Sequence, residues 1–375
     1  MKYVVNSTDL LSRLQNMECV ILPKNVLPIL GCVLFEAKGD CLTMTATDKE
    51  ITLVSSVKLL ETTGDSKFAI NAKQISDILK SLPDQPLTID INSATLQVNL
   101  NYQNGHMAFQ AENGEDFPQQ KNIEGESSEV KLNANLLNVG LGMALSAAST
   151  DKNRMAMCGV FVDVSPTDLS LVASDGHKFV RYMITCDTGN QTKGFILPPK
   201  PASILRSLID KNNEDVCINT YTVGNATIDT GDYKMSCRLI EEKYPNYKSI
   251  IPQNNANIAV VDRQSFLSSV RRIMIAADKS SSLVKLQFET GKVVLSSENT
   301  NFSQAAEEQL VCQYEGYPLK IGFSGSYLIE LIGKLNSEQI SIKLSDPSKP
   351  GLILPVEQEK GSDTLMLLMP LLITN

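Results

Sequence analysis

"LTMTATDKE" (42–50) and "LSLVASDGH" (169–177) are the same strand-and-turn written twice, with Thr47-Asp48 and Ser174-Asp175 lying 127 residues apart. The same spacing separates "FAINAKQISDILKSL" (68–82) from "FILPPKPASILRSLI" (195–209), and Pro118 of "DFP" from Pro245 of "KYP". Leu10-Leu11 and Leu136-Leu137 stand 126 apart near the start of each copy. Four markers in one order at one period identify an internal repeat. A fainter third copy follows: "VDRQSFLSSVRRI" (261–273), "VVLSSENTN" (293–301), "IGFSGSYLIELIGKL" (321–335) and "LMP" (368–370) take the corresponding places. Each copy has the size of a single domain. The polar stretches 119–129 and 252–257 read as linkers, dividing the chain into 1–121, 128–252 and 256–375.

Within each copy a strand leads into a helix, several strands follow, then a second helix and more strands. "CVLFEA", "LTMTAT", "ITLVSSV" and "LTIDI" alternate or are β-branched and apolar, as strands are. A helix is expected over 72–82, with Ile75, Ile78, Leu79 and Leu82 on one face, and another carries Phe266, Val270, Ile273 and Met274. The expected class is α+β: antiparallel sheets, each needed to cover a helical stripe.

The 375 residues carry 42% hydrophobic and 20% charged side chains, enough for ordinary cores. "MKYVVNSTDLL" lacks the long apolar core of a secretory leader, and the eight cysteines show neither a CxxC pair nor zinc spacing. Reduced thiols and a cytoplasmic location are the expectation. The apolar tail "TLMLLMPLLITN" (364–375) is too short for a bilayer span, which takes about 20 residues, and reads as a closing strand.

Net charge is −8, which alone argues against broad nucleic-acid binding, but its placement is uneven. Lys73 and Lys80 project opposite the stripe centred near Ile75 and Leu82, Arg206 points away from Ile204, Leu205 and Leu208, and Arg272 opposes Phe266, Val270 and Ile273 with Arg271 beside it. Lys334 flanks its own helical stripe. Acidic residues gather instead in 112–116, 124–129, 211–215 and 359–363. One such helix is a solvated face; its recurrence fits a surface that holds phosphates without reading bases.

Catalytic signatures are missing. There is no phosphate-binding GxxxxGK[ST], no GxGxxG, and "GFSGS" (322–326) has the wrong spacing for a nucleophile elbow. "SDGHK" (174–178) is the most enzyme-like stretch: Asp175 with His177 reads either as an acid–base pair or as a hairpin turn, the usual role of Asp-Gly. A hydrolase centred there and a repeat scaffold that ignores DNA are the two competing functions. No cofactor or metal is expected.

Taken together, "VLPILGCVLFEAKGDCLTMTATDKEITL" (26–53), "RMAMCGVFVDVSPTDLSLVASDGHKF" (154–179), "YPNYKSIIP" (244–252) and "LLMPLL" (367–372) resemble the bacterial DNA polymerase sliding clamps, the beta subunits of the replicase. The resemblance runs the full length in order. It implies three clamp domains, each with two helices packed on antiparallel sheets, and a head-to-tail homodimer closing a ring around duplex DNA. Such a ring is a non-catalytic processivity factor in DNA replication. It implies DNA-facing roles for Lys24, Lys73, Lys80, Lys200, Arg206, Arg271, Arg272 and Lys334. It sets Met107 and Phe109 on a first-domain edge strand and Ile275 on a third-domain helix at the dimer interface, although Met107 and Phe109 read equally as core residues.

The same resemblance implies a peptide-binding pocket between the second and third domains. Replicative polymerase, clamp loader and repair proteins would insert a short extended segment there. Its residues would be Met157, Ser174, Gly176, His177, Phe179, Pro245, Ile250, Leu367, Met369, Pro370 and Leu371, with Arg154 at the rim and "SDPSKPGLILP" (345–355) alongside. Methionine suits a surface that serves many partners. The same side chains also serve as packing at the domain junction. Two positions depart from the family habit: Lys178 and Leu372 stand where arginine is frequent, which removes planar bidentate contacts.

Overall fold

The structure, a computed structural model, describes residues 1–25, 27–119, 123, 125–209, 215–299 and 302–373. Most of the first expected linker's centre (120–122 and 124), most of the acidic run 211–215, and the last two residues of the tail lie outside the described residues. Six helices are described: α1 (Ser7–Met17), α2 (Ala72–Lys80), α3 (Ala134–Ala147), α4 (Pro199–Leu208), α5 (Arg263–Ile273) and α6 (Gly325–Ile332). They alternate with antiparallel strands gathered into four sheets.

Three helix starts have a local cause. Asn6 caps α1 by accepting from Thr8 N at 2.8 Å, Asn71 caps α2 from Gln74 N at 3.1 Å, and Asp262 caps α5 from Ser265 N at 2.7 Å. These side chains satisfy amide donors that the first turn leaves without partners. The expected 72–82 helix is shorter than its stripe: α2 ends at Lys80, with Ser81 as its cap, and Leu82 lies beyond it. Ile275 stands not on α5 but in the 3-10 turn Met274–Ala276 that follows it. Phe266, Val270 and Ile273 are fully buried on the inner face of α5.

Two compact units emerge, Met1–Asn135 with Ser203–Leu239 and Leu136–Ala202 with Ile240–Asn375, and the cut runs through the second repeat. The reason is strand pairing. In the first unit, one nine-stranded sheet joins the first repeat's strand Ile51–Lys58 to the second repeat's strand Tyr233–Arg238, with Leu53 opposite Met235. In the second unit, another nine-stranded sheet joins Lys178–Thr185 of the second repeat to Ser362–Leu368 of the third, with Val180 opposite Met366. A shared sheet makes each pair of half-repeats one core.

The apolar tail finds its explanation here. Ser362–Leu368 is an interior strand, paired with Lys178–Thr185 on one side and Gly351–Pro355 on the other. Thr364 to Leu368 are all buried. A strand buried on both faces reads as a continuous apolar run rather than an alternating one, and each buried leucine or methionine contributes roughly 1.5–3 kcal/mol.

The two remaining sheets end on open edges: Gly105–Gln110 in the first unit and Gln304–Val311 in the second. Both show an alternation of exposed and half-buried residues.

The cap of α5 yields a pH-dependent expectation. Hydrogen bonds from the Ser265 side chain and backbone hold the Asp262 carboxyl below the usual carboxylate range. Its stabilisation is therefore present above about pH 4, the ordinary aspartate value, and fades as pH falls through the lowered one. Asp262→Ala is expected to cost about 1 kcal/mol at neutral pH. Urea unfolding at pH 7 and pH 3 should show the difference from wild type shrinking at the lower pH.

Candidate functional site

Three local structures in the second unit converge on one cavity. The first is the hairpin joining Asp168–Ser174 to Lys178–Thr185. Its turn is held by its own side chains: Asp175 Oδ1 accepts from His177 N at 2.8 Å and Lys178 N at 2.9 Å, while Ser174 Oγ donates to Lys178 O at 2.9 Å. The first repeat builds the same turn, where Asp48 Oδ1 accepts from Glu50 N and Ile51 N at 3.0 and 2.7 Å. There Lys49 takes the left-handed conformation at φ 78°; in the second repeat Gly176 takes it at φ 93°. At that φ any other side chain would be strained, and a Cβ on Gly176 would also come within 3.0 Å of the Arg154 guanidinium. The Asp175 carboxylate is thereby committed to backbone amides, and the His177 ring stacks on Tyr327 at 6.4 Å. The hairpin-turn reading accounts for "SDGHK"; the acid–base reading has no geometry behind it.

The second is the segment after the second repeat's last strand. Tyr244 stacks on Phe161 at 4.7 Å, and Tyr247 packs on Phe179 at 5.9 Å. Tyr247 Oη donates to Asp163 Oδ2 at 2.7 Å, and Lys248 Nζ reaches the same carboxylate at 3.0 Å, which fixes the turn Tyr247–Ile250. Burial pushes both phenols well above the ordinary tyrosine range, and Asp163 adds to the effect at Tyr247. The 3-10 turn Lys152–Cys158 forms the adjoining wall. Asp151 caps it, and Glu242 Oε2 accepts from Ala156 N at 2.8 Å.

The third is the tail. Beyond its buried strand, Met369 N donates to His177 O at 2.8 Å, which lays Met369 along the turn with its side chain 39% exposed. Leu371 then pairs with Gly322, its amide donating to Gly322 O at 2.8 Å.

Between these walls lies a cavity of about 330 Å³, within the range of small-ligand sites. Nine of the expected residues line it: Met157, Ser174, Gly176, His177, Phe179, Pro245, Ile250, Leu367 and Met369. Arg154 stands beside Gly176, held by Asp151 at 3.0 Å, and does not line the cavity. Pro370 and Leu371 do not line it either, because the chain turns away there to pair with Gly322.

Sequence reasoning missed Tyr244, Asn246 and Tyr247, although all three fall inside the quoted "YPNYKSIIP". Pro350, from the stretch placed alongside the pocket, is a lining residue. So is Lys178. Its side chain is buried, its ammonium pairs with Glu330 of α6, and it sits 5.0 Å from the centre of the Tyr327 ring. The cation thus ties the hairpin to α6. Among the described residues no carboxylate or thiol lines the cavity, which is apolar with few polar groups and suits side chains of an extended peptide.

The basic residues singled out from sequence fall in both units. Lys24, Lys73, Lys80 and Arg206 of the first unit are exposed, as are Arg271, Arg272 and Lys334 of the second, while Lys200 is half-buried at the start of α4. Several are already engaged. Lys80 lies 3.8 Å from Glu18, and Arg272 is gripped by Glu308 through two bonds of 2.7 Å, with Ser269 Oγ at 3.1 Å. Arg272 therefore presents a neutralised pair. Met107 and Phe109 are half-buried on the open edge strand, and Ile275 is 80% exposed.

The chain matches the models of the N-terminal, central and C-terminal domains of the DNA polymerase III beta subunit over 1–121, 131–246 and 248–370. It is 28% identical to the beta sliding clamp of Caulobacter vibrioides, over 95% of this chain and 97% of that one. It is 26% identical to the beta sliding clamp of Pseudomonas putida, over 97% of each. Among solved structures, the Bartonella birtlesii sliding clamp bound to griselimycin superposes with a TM-score of 0.91 at 26% identity, covering 100% of both chains. With all three domain models matched in order, the chain belongs to the DNA polymerase III beta subunit family, the bacterial sliding clamps.

Proposed function

We propose that this chain is a non-catalytic processivity clamp of the cytoplasm, with domains at 1–121, 128–252 and 256–375, that closes head to tail with a second copy around duplex DNA. Replicative polymerase, clamp loader and repair proteins dock through short peptides in the cavity at the second and third repeats. The observation that carries this reading is the cavity itself, assembled from a hairpin, an aromatic turn and an interior strand, with Met369 exposed at its mouth. An apolar surface left open in this way marks an interaction site. Arg154, Pro370 and Leu371 serve at its margin, and Lys178 shapes its wall through Glu330 rather than offering a charge to the peptide.

Ring closure is supported by the two open edges. Strands corresponding to Gly105–Gln110 and Gln304–Val311 are paired at both junctions inside the chain, and these two alone of their kind are paired on one side only among the described residues. Met107, Phe109 and Ile275 belong to that closing surface. DNA is held through phosphates by exposed lysines and arginines, loosely enough to slide. Lys24, Lys73, Arg206, Arg271 and Lys334 carry most of this, with Lys200 and Lys80, and Arg272 contributes less while Glu308 holds it.

Two measurements test the reading. A fluorescent peptide containing Gln-Leu-x-Leu-Phe should bind the purified chain, and Met369→Ala should weaken it about 5- to 30-fold with the fold intact by circular dichroism, the loss typical of an interface anchor. Equal affinity for both proteins would remove Met369 from the site. On linear duplex DNA, the double variant Lys24→Ala/Lys73→Ala should bind more weakly at low salt. The slope of log affinity against log salt should fall by about one for each phosphate that is no longer neutralised. Arg272→Ala should change it less.

A further inference from the structure

The cations closest to the cavity are each held by a carboxylate of this chain. Among the described lining residues, Lys178 is the only lysine or arginine, and no carboxylate lines the cavity. The Lys178 side chain is buried in the hairpin, and its ammonium pairs with Glu330 while resting 5.0 Å from the centre of the Tyr327 ring. Tyr327 and Glu330 stand three residues apart on α6, so one helix face supplies both the aromatic and the anionic partner. At the margin, Arg154 is held by Asp151 at 3.0 Å, and Lys248 by Asp163 at 3.0 Å.

The remaining charge near the walls leans negative. Asp175 and Glu242 bring two further carboxylates, both committed to backbone amides. Burial, and then the charges of Asp175 and Glu330, push the Tyr327 phenol above its ordinary value. Lys152, Lys243 and Lys349 are exposed on the surrounding loops, and none of them lines the cavity. Leu372, farther along the tail and 87% exposed, adds apolar surface and no charge. What is left to meet a ligand is apolar or neutral: the Asn246 amide and the His177 imidazole beside Met157, Phe179, Ile250 and Met369.

Resting on the peptide docking proposed above, we infer that the Lys178–Glu330 pair makes this cavity select an extended segment without carboxylates and reject the acidic segment of the same shape. A carboxylate entering the cavity gives up water and meets an ammonium whose charge Glu330 already cancels. An amide of the same shape gives up much less, because neutral donors and acceptors are what the walls offer. The discrimination thus comes from a cost placed on the wrong ligand rather than from an added attraction to the right one. Glu330, which does not line the cavity, acts through Lys178 and is a positioning residue.

The test uses the full chain at pH 8, where imidazoles are ordinarily neutral. Three peptides with amidated C-termini compete against a fluorescent one: Gln-Leu-Asn-Leu-Phe and its two isosteric acids, Glu-Leu-Asn-Leu-Phe and Gln-Leu-Asp-Leu-Phe. The acids should bind wild type roughly 5- to 100-fold more weakly than the amide. The affinity of the amide peptide should change less than about 2-fold between about 50 and 500 mM salt, since no free charge attracts it. Glu330→Gln releases the Lys178 ammonium and should bring the better acid to within about 2-fold of the amide or past it. Leu372→Arg, a change at an exposed position that the fold tolerates, should also narrow the gap, by supplying a cation that nothing on the tail cancels. Acids that bind wild type as well as the amide, or a gap that Glu330→Gln leaves unchanged in a folded protein, overturn the inference and leave peptide docking standing. Failure of all three peptides and of the fluorescent probe to bind wild type overturns the docking itself.

Discussion

Antiparallel pairing between strands of successive repeats is the interaction on which the rest of this structure depends. Ile51–Lys58 against Tyr233–Arg238, and Lys178–Thr185 against Ser362–Leu368, turn half-sheets of four or five strands into continuous sheets of nine. A half-sheet alone would expose a long edge of unpaired amides and carbonyls. Pairing satisfies those groups and aligns side-chain rows across the junction at once. It also explains why the compact units cut through the second repeat, whose two halves belong to different sheets.

The cavity is a by-product of the second junction. The strand that completes the sheet emerges beside a turn whose Asp175 and Ser174 side chains are spent on their own backbone. The emerging chain continues along that turn as far as Met369 and then departs to Gly322. Tyr247 and Lys248, both anchored on Asp163, close one side, and the Lys178–Glu330 pair fixes the hairpin against α6. A polar framework of short reach thus holds apolar walls apart. Rigid walls reduce the ordering that a bound peptide would otherwise require.

Much of this was legible in the sequence, and the illegible part has physical reasons. The repeat, the class of fold and the interior tail strand follow from spacing and apolar runs, because periodicity reports which faces are buried. The end of α2 did not follow: Leu82 continues the stripe in phase, although the helix stops at Lys80 with Ser81 as its cap. The grip of Glu308 on Arg272 was invisible because the pair is 36 residues apart and crosses from helix to strand. The aromatic lining from Tyr244 and Tyr247 could have been read from "YPNY", where two tyrosines flank a proline that prevents the intervening chain from continuing a strand. Leu371 was misplaced because pairing with Gly322, not side-chain character, decides where the tail turns.

The place of Ser362–Leu368 in the sheet has a consequence for biosynthesis. The ribosome delivers this strand after both of its neighbours, Lys178–Thr185 and Gly351–Pro355, have emerged. Until it arrives, each neighbour presents a bare edge of unpaired amides and carbonyls, and the segment that fills the gap must find a partner nearly two hundred residues upstream in the chain. Such late, long-range insertion is slow relative to local folding, and open edges invite pairing between nascent chains. The nascent protein therefore passes through a window in which its second unit is nearly complete, adhesive and without its cavity, and the final strand both ends that hazard and creates the site.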